Sequence, residues 1–493
     1  MTTPSRRDVL RTGAALTLGS LLGCGSTPLR TAQAPAPFAL PEFAGTLGVA
    51  REDITPPVGI YARNWGAAKH DVAEGIHRPL TATAVTLREA GGGPPLILVA
   101  LDLGWWKSGD DERHVRSILV DELKLDPARV MVNCSHTHAG PATSREDKNQ
   151  PGGELIAPYL DKVRDAVLRA VRHALDTAVP GTLTWATGRC DLAGNRDLPD
   201  PSRDRWVTGF NPSSSADDAV LVGRVADVAG KTRAVLVNYA CHPTTLAWEN
   251  KLLSPDYPGA MRELVEKQTP DALCLYLHGP SGDVGPRQQY SGDPETADRN
   301  GRQLGYAALS ALEGMLPPAT QLEYAGVVES GAPLATWKRK ARTPSGVLRA
   351  RQVDVELPLK ADLPSVAEIE AKLKTCEDRV MAERLRRKMR VRRTVGEGKT
   401  AKIPLWVWRV GDGYYVGQPN EAYSQLQIEL RRAFPRRAVT VMNLVNGGIG
   451  YLAPERLQGE DLYQVWQSPF DRGSLERVIA SATSALAELG AER

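Results

Sequence analysis

Two histidines two residues apart, His136 and His138, sit in the run Cys134-Ser135-His136-Thr137-His138-Ala139-Gly140-Pro141. The apolar stretches Pro95–Asp102 and Val130–Asn133 come before them, so they fall where a buried strand ends and the chain turns at Gly140-Pro141. Side chains two apart on a strand point the same way, so one histidine can bind a metal while the other hydrogen-bonds or moves a proton. An isolated His-x-His is more often a pair of ordinary strand-end histidines. Its company along the chain shifts that balance.

The same grammar returns twice. The run Ala234–Ala240 is apolar and ends in Cys241-His242-Pro243-Thr244-Thr245, and Ala272–Leu277 ends in His278-Gly279-Pro280-Ser281-Gly282-Asp283-Val284-Gly285-Pro286. Further on, Ile403–Val410 and Tyr414–Gly417 read as a hairpin about Gly411-Asp412-Gly413 that runs into Pro419-Asn420-Glu421. A last strand, Ala438–Val445, empties into Asn446-Gly447-Gly448-Ile449-Gly450-Tyr451, where glycines let the backbone approach a site closely. Together, His136, His138, His242, Glu421 and Tyr451 supply nitrogen and oxygen donors suited to one zinc ion. A catalytic zinc keeps a position open for water and lowers its pKa to about 7.

The elements that must position these groups alternate between strand and helix. Residues 110–124 and 155–176 have helical apolar spacing, the latter through Leu160, Val163, Ala166, Val167 and Val171. The expected class is α/β, with mixed β-sheets flanked by helices and the site at strand C-terminal ends. Residues 365–393 differ: Arg384, Arg386, Arg387, Lys388, Arg390, Arg392 and Arg393 crowd a charged helix or helix pair, expected as an insertion around 360–400. Such a run is read first as a solvated face, and second as a contact for anionic lipid headgroups.

The first residues read as an address. Ser5-Arg6-Arg7-Asp8 is a twin-arginine pattern, Gly13–Leu22 is too short to span a bilayer, and Leu21-Leu22-Gly23-Cys24 resembles the lipobox of bacterial lipoproteins. Residues 1–24 are thus expected to be an export signal that leaves a lipid on Cys24, residues 25–44 a flexible linker, and residues 45–493 the catalytic domain. The protein would be periplasmic or at the cell surface, anchored to a membrane without spanning it. Of 61 basic and 58 acidic residues, the first 23 hold Arg6, Arg7 and Arg11 against Asp8, so the remainder balances to within one charge. That argues against a nucleic-acid partner. Beyond Cys24 there are five widely spaced cysteines and no Cys-x-x-Cys, so neither a disulfide scaffold nor a thiolate zinc site is indicated.

The ordered set His136-Thr137-His138-Ala139-Gly140-Pro141, Asn195-Arg196, His242-Pro243-Thr244, Gly282-Asp283-Val284-x-Pro286, Glu421 and Asn446–Tyr451 resembles the neutral/alkaline non-lysosomal ceramidase family in its catalytic domain. The resemblance implies a single zinc on His136, His242, Glu421 and Tyr451, with His138, Arg196 and Asp283 as further catalytic groups. His138 and Arg196 correspond to the groups that orient the amide and stabilise its oxyanion. It also implies hydrolysis of the amide of an N-acyl sphingolipid such as ceramide by metal-activated water. Two departures stand out. Gly285 takes the place of the family serine in Gly-Asp-Val-Ser-Pro, which excludes a serine nucleophile there. Only about forty residues follow Tyr451, too few for the family's C-terminal immunoglobulin-like domain of roughly 100 residues. Two other readings stay open: a zinc hydrolase of a different amide or ester, and a non-catalytic binding protein on the same scaffold.

Overall fold

A computed structural model describes residues 35–492. The expected signal and Cys24, the expected site of lipid attachment, lie outside the described residues. Strand β1 begins at Glu42, and Phe43 is fully buried, so the folded body starts just ahead of the expected boundary at 45.

The larger sheet comprises β1 (Glu42–Asp53), β2 (Thr81–Glu89), β3 (Gly92–Leu101), β4 (Val130–Cys134), β5 (Val179–Arg189), β6 (Ala219–Asp227), β7 (Thr232–Tyr239) and β8 (Leu273–His278). Their order is β8-β7-β6-β5-β1-β2-β3-β4. The middle is antiparallel, while the outermost pairs, β3–β4 and β7–β8, are parallel. A second sheet runs β9 (Leu348–Pro358), β10 (Thr400–Val410), β11 (Gly413–Gly417) and β12 (Ala438–Met442), and it too ends in a parallel pair, β11–β12. A hairpin of Thr320–Glu329 and Pro333–Ala341 forms a two-stranded sheet of its own.

Strand alternation explains the layering. In β3, Leu96 and Leu98 join a core shared with Trp406, Trp408 and Tyr415 of the second sheet, whereas Ile97 and Val99 turn to the helices α1 (Gly109–Leu123) and α2 (Ile156–Asp176). The β6–β8 half packs outward on α3 (Tyr257–Gln268) and α4 (Pro294–Glu313). The charged segment forms α5 (Val366–Lys374) and α6 (Arg379–Val395), and the outer face of the second sheet is covered by α7 (Gln425–Ala433) and, after the short α8 (Tyr463–Gln467), by α9 (Ser474–Ala491). Mixed sheets with helices on their outer faces are therefore what the fold contains. No helix among the described residues is long and apolar enough to cross a membrane, and Cys134, Cys190, Cys241, Cys274 and Cys376 are free thiols.

Buried asparagines tie the two sheets together where their parallel pairs meet. Asn133 Nδ2 donates to the Asn443 carbonyl at 2.6 Å, Asn238 Nδ2 to the Val441 carbonyl at 2.9 Å, and the Val132 amide to Asn446 Oδ1 at 2.8 Å. Each satisfies a polar group that would otherwise cost about 1–3 kcal/mol to bury. The carboxyl ends of three parallel pairs thereby converge.

Candidate active site and metal centre

His136 follows β4 directly. Its backbone is left-handed, φ 68°, a conformation costly for a residue with a β-carbon, and it is held by its amide donating to the Leu103 carbonyl at 2.9 Å. The ring Nδ1 lies 3.0 Å from the Gly104 carbonyl. His242 follows β7, with Nδ1 2.8 Å from the Ser281 carbonyl and 3.0 Å from Ser281 Oγ. A carbonyl accepts only, so each ring carries its proton on Nδ1 and presents a lone pair at Nε2. The two Nε2 atoms are 2.8 Å apart, and both lie by the same oxygen, Glu421 Oε2, at 3.2 and 3.3 Å.

Two lone pairs and a carboxylate oxygen facing one point repel one another unless a cation lies between them. The donor set therefore fits a metal ion such as zinc, with nitrogen and oxygen ligands from His136, His242 and Glu421. His138 offers a further nitrogen within the same small volume, its candidate ligand atom lying no more than 4.8 Å from those of His136 and His242. Burial pushes His242 down to about 3, with Arg196 and His136 adding to the effect. That shift keeps His242 in its neutral, metal-binding form.

Glu421 reaches this point because Glu421–Ala422 pairs in parallel with Tyr451–Leu452, placing Glu421 beside Tyr451. Helix α7 begins only at Gln425, so Glu421 lies ahead of it on its own short strand. Gly448 permits the approach of this loop, since a β-carbon there would lie 2.5 Å from the Trp106 carbonyl oxygen. The Tyr451 hydroxyl accepts from Arg196 Nη2 at 3.2 Å. Arg196 lies in the single-residue break between two short strands, Ala193–Asn195 and Asp197–Asp200. Its Nε and Nη2 donate to the Gly282 carbonyl at 3.1 and 2.9 Å.

A cavity of about 400 Å³ opens over this floor, lined by His138, His242, Arg196 and Tyr451 below and by Trp65, Trp248 and Tyr290 along its wall. Both ring nitrogens of His138 are buried without a partner, and its ring packs 4.8 Å from Trp65 and 5.1 Å from Trp105. Asp283 stands apart from the cavity. Its carboxylate accepts from the Ser424 amide at 2.6 Å and hydroxyl at 2.7 Å, and its carbonyl from the Arg196 amide at 2.9 Å. It therefore holds the segments bearing Glu421 and Arg196 in place. Gly285 pairs with Gly194, and a β-carbon on it would meet Gln289 Oε1 at 2.8 Å, so Gln289 occupies the space a side chain would need.

Several residues at this site carried no sequence signal of their own. The tryptophans and Tyr290 come from loops without motifs, and Ser281 touches the site only through His242 and His278. The larger surprise is α6. Val380, Glu383, Arg384 and Arg387, spaced three and four apart, line the cavity, so one face of the basic run borders the site.

The chain is similar to known proteins in sequence and in fold. Residues 46–276 match the family "Neutral/alkaline non-lysosomal ceramidase, N-terminal". The neutral ceramidase of Pseudomonas aeruginosa is 24% identical over 261 residues, which are 50% of this chain and 36% of that protein. The chain thus spans about a third of that curated relative's length. Among solved structures, neutral ceramidase from Pseudomonas aeruginosa superposes with a TM-score of 0.64 at 17% identity over 91% of this chain and 75% of its own. A ceramidase complexed with C2 gives 0.64 at 16% over 91% and 76%. Residues 46–276 thus resemble a neutral/alkaline non-lysosomal ceramidase N-terminal domain in sequence, and the chain shares the fold of neutral ceramidase over 91% of its length.

Proposed function

We propose that this chain is a zinc-dependent hydrolase that cleaves the amide bond of an N-acyl lipid of the ceramide kind. One observation carries the reading: the Nε2 lone pairs of His136 and His242 stand 2.8 Å apart, each fixed by an Nδ1 proton committed to a carbonyl, and both face Glu421 Oε2. His136, His242, Glu421 and Tyr451 would hold the ion. Bound there, zinc supplies hydroxide at neutral pH by lowering the pKa of water to about 7.

The chain's own residues supply the rest. Arg196, whose charge is secured by Tyr451 and Tyr290 despite its burial, faces the cavity beside His138. These two groups orient the scissile carbonyl and stabilise the negative charge on its oxygen, a contribution of about 2.7–4 kcal/mol per donor. Water adds to the carbonyl carbon, the carbon–nitrogen bond breaks, and the amine leaves with a proton. The aromatic wall of Trp65, Trp248 and Tyr290 shields the acyl group from water. Export and anchoring at Cys24 belong to the same proposal, supported by Arg6-Arg7 and the Leu21–Cys24 motif.

The test is release of fatty acid from short-chain ceramide and other N-acyl amides by the zinc-loaded protein and by Arg196→Met and His138→Ala. Wild-type turnover with losses of about hundredfold or more in both variants supports the reading. Cleavage of esters but no amide contradicts it.

A further inference from the structure

Helix α6 brings more positive charge to the cavity than a neutral lipid needs. Arg196, Arg384 and Arg387 line it against the single carboxylate of Glu383. Its neighbours Arg390 and Arg393 are otherwise engaged, Arg390 with Asp147 at 2.6 Å and Glu146 at 3.2 Å, and Arg393 with Glu146 at 3.1 Å and Glu370 at 2.9 Å. The pairs with Glu146 and Asp147 fasten the helix to the 145–147 segment. With its last turns anchored, α6 presents its first turns to the site.

The two cavity arginines are placed differently. Arg387 stacks 5.1 Å over Trp105, donates to the Tyr463 hydroxyl at 3.0 Å and reaches Glu383 at 3.3 Å, which fixes its guanidinium within the cavity. Arg384 is exposed, lies 5.1 Å over Trp466, and pairs with no carboxylate among the described residues. At the open end, Trp248 is 37% exposed. One fixed and one free guanidinium at the mouth of an aromatic-walled cavity form a receptor for an anion, because guanidinium binds carboxylate, sulfonate or phosphate with paired, charge-assisted hydrogen bonds.

Resting on the amide-hydrolase reading, we infer that the preferred substrate is an N-acyl amide whose amine portion carries an anionic group, which Arg384 and Arg387 of α6 receive at the cavity mouth. A neutral sphingoid headgroup leaves Arg384 without a counter-charge and Arg387 with Glu383 alone. An acyl amino acid or acyl aminosulfonate supplies an anion to both. Hydrolysis then gives a fatty acid and a zwitterionic amine.

The experiment compares kcat/KM for N-dodecanoylglycine and N-dodecanoyltaurine with that for neutral N-dodecanoylethanolamine, in the wild type, Arg384→Gln and Arg384→Glu. Arg384 is a surface position, and folding of each variant is checked by its melting temperature. The wild type is expected to prefer the acidic substrates by about tenfold to hundredfold, the worth of a charge-assisted contact. The preference should shrink in Arg384→Gln and vanish or invert in Arg384→Glu, chiefly through KM. Equal or better cleavage of the neutral amide by the wild type overturns the anionic preference and leaves the amide hydrolase standing. If no amide is cleaved, equilibrium binding of 4-phenylbutanesulfonate against 4-phenylbutanol decides. Sulfonate binding about tenfold tighter and lost in Arg384→Glu supports the subsite, whereas equal binding of the two, or sulfonate binding untouched in Arg384→Glu, overturns it.

Discussion

The floor and the roof of the cavity are built by opposite means. The floor is made of strand ends, where His136 and His242 are buried, each held through its second ring nitrogen by a backbone carbonyl, and Glu421 is nearly covered. The roof is α6, where few side chains are fully buried and the hold is a set of ion pairs with Glu146, Asp147 and Glu370. Chemistry that requires donors fixed to a few tenths of an ångström is placed on the rigid part. Recognition, which tolerates adjustment, is left to the part whose contacts are worth less apiece.

That contrast can be broken at several points. The largest effect is expected from Glu421→Gln, which keeps the shape of the floor and removes its anion: zinc binding and amide turnover should both fall by more than about hundredfold, read by metal analysis and initial rates. Next is Arg262→Met. Arg262 holds buried Asp102 through two bonds of 2.7 Å, and Asp102 anchors the strand end that leads to the Gly104 carbonyl behind His136. Leaving that carboxylate unpaired should cost about 3–5 kcal/mol of stability in denaturant unfolding. Ser281→Ala removes the hydroxyl shared by His242 and His278 while the Ser281 carbonyl remains, so zinc affinity should weaken by about tenfold to hundredfold in a chelator competition.

On the roof the effects should be smaller. Arg390→Gln loosens α6 at its anchor, and a few-fold rise in KM with kcat unchanged, together with faster proteolysis within 379–395, would separate it from the floor variants. The smallest concerns pH. Burial, with Asp283 beside it, pushes Asp197 up from its ordinary value of 3.8 to about 6. A carboxyl raised on folding holds its proton more tightly in the folded state, so its contribution is present below the ordinary value and is lost as pH rises through about 6. The wild-type Tm should therefore decline between pH 4 and 7 more than that of Asp197→Asn, and equal declines would contradict the assignment.

Sequence and structure agree where local signals suffice. Apolar runs ending in His-Pro or His-x-His foretell the strand ends, and the spacing from Leu160 to Val171 foretells α2. That these ends meet depends on parallel pairing at both edges of one sheet and the edge of another, which no local pattern carries. Asp283 sits within a motif and so reads as a catalytic group, but its carboxylate turns back on Ser424. His278 reads as structural, and through Ser281 it belongs to the network that orients His242. Helix α6 misled most. Its composition matches a solvated face, and the place of Arg384 and Arg387 along the cavity becomes visible only once Arg390 and Arg393 have found Glu146, Asp147 and Glu370.

The central claim is that His136, His242 and Glu421 converge on a cation. It is tested most directly by X-ray absorption and metal stoichiometry on the full chain beside His242→Ala. The account predicts about one zinc per chain with nitrogen and oxygen neighbours and no sulfur, lost in the variant. Absence of zinc after equilibration with the metal, or a zinc retained unchanged in His242→Ala, would contradict it.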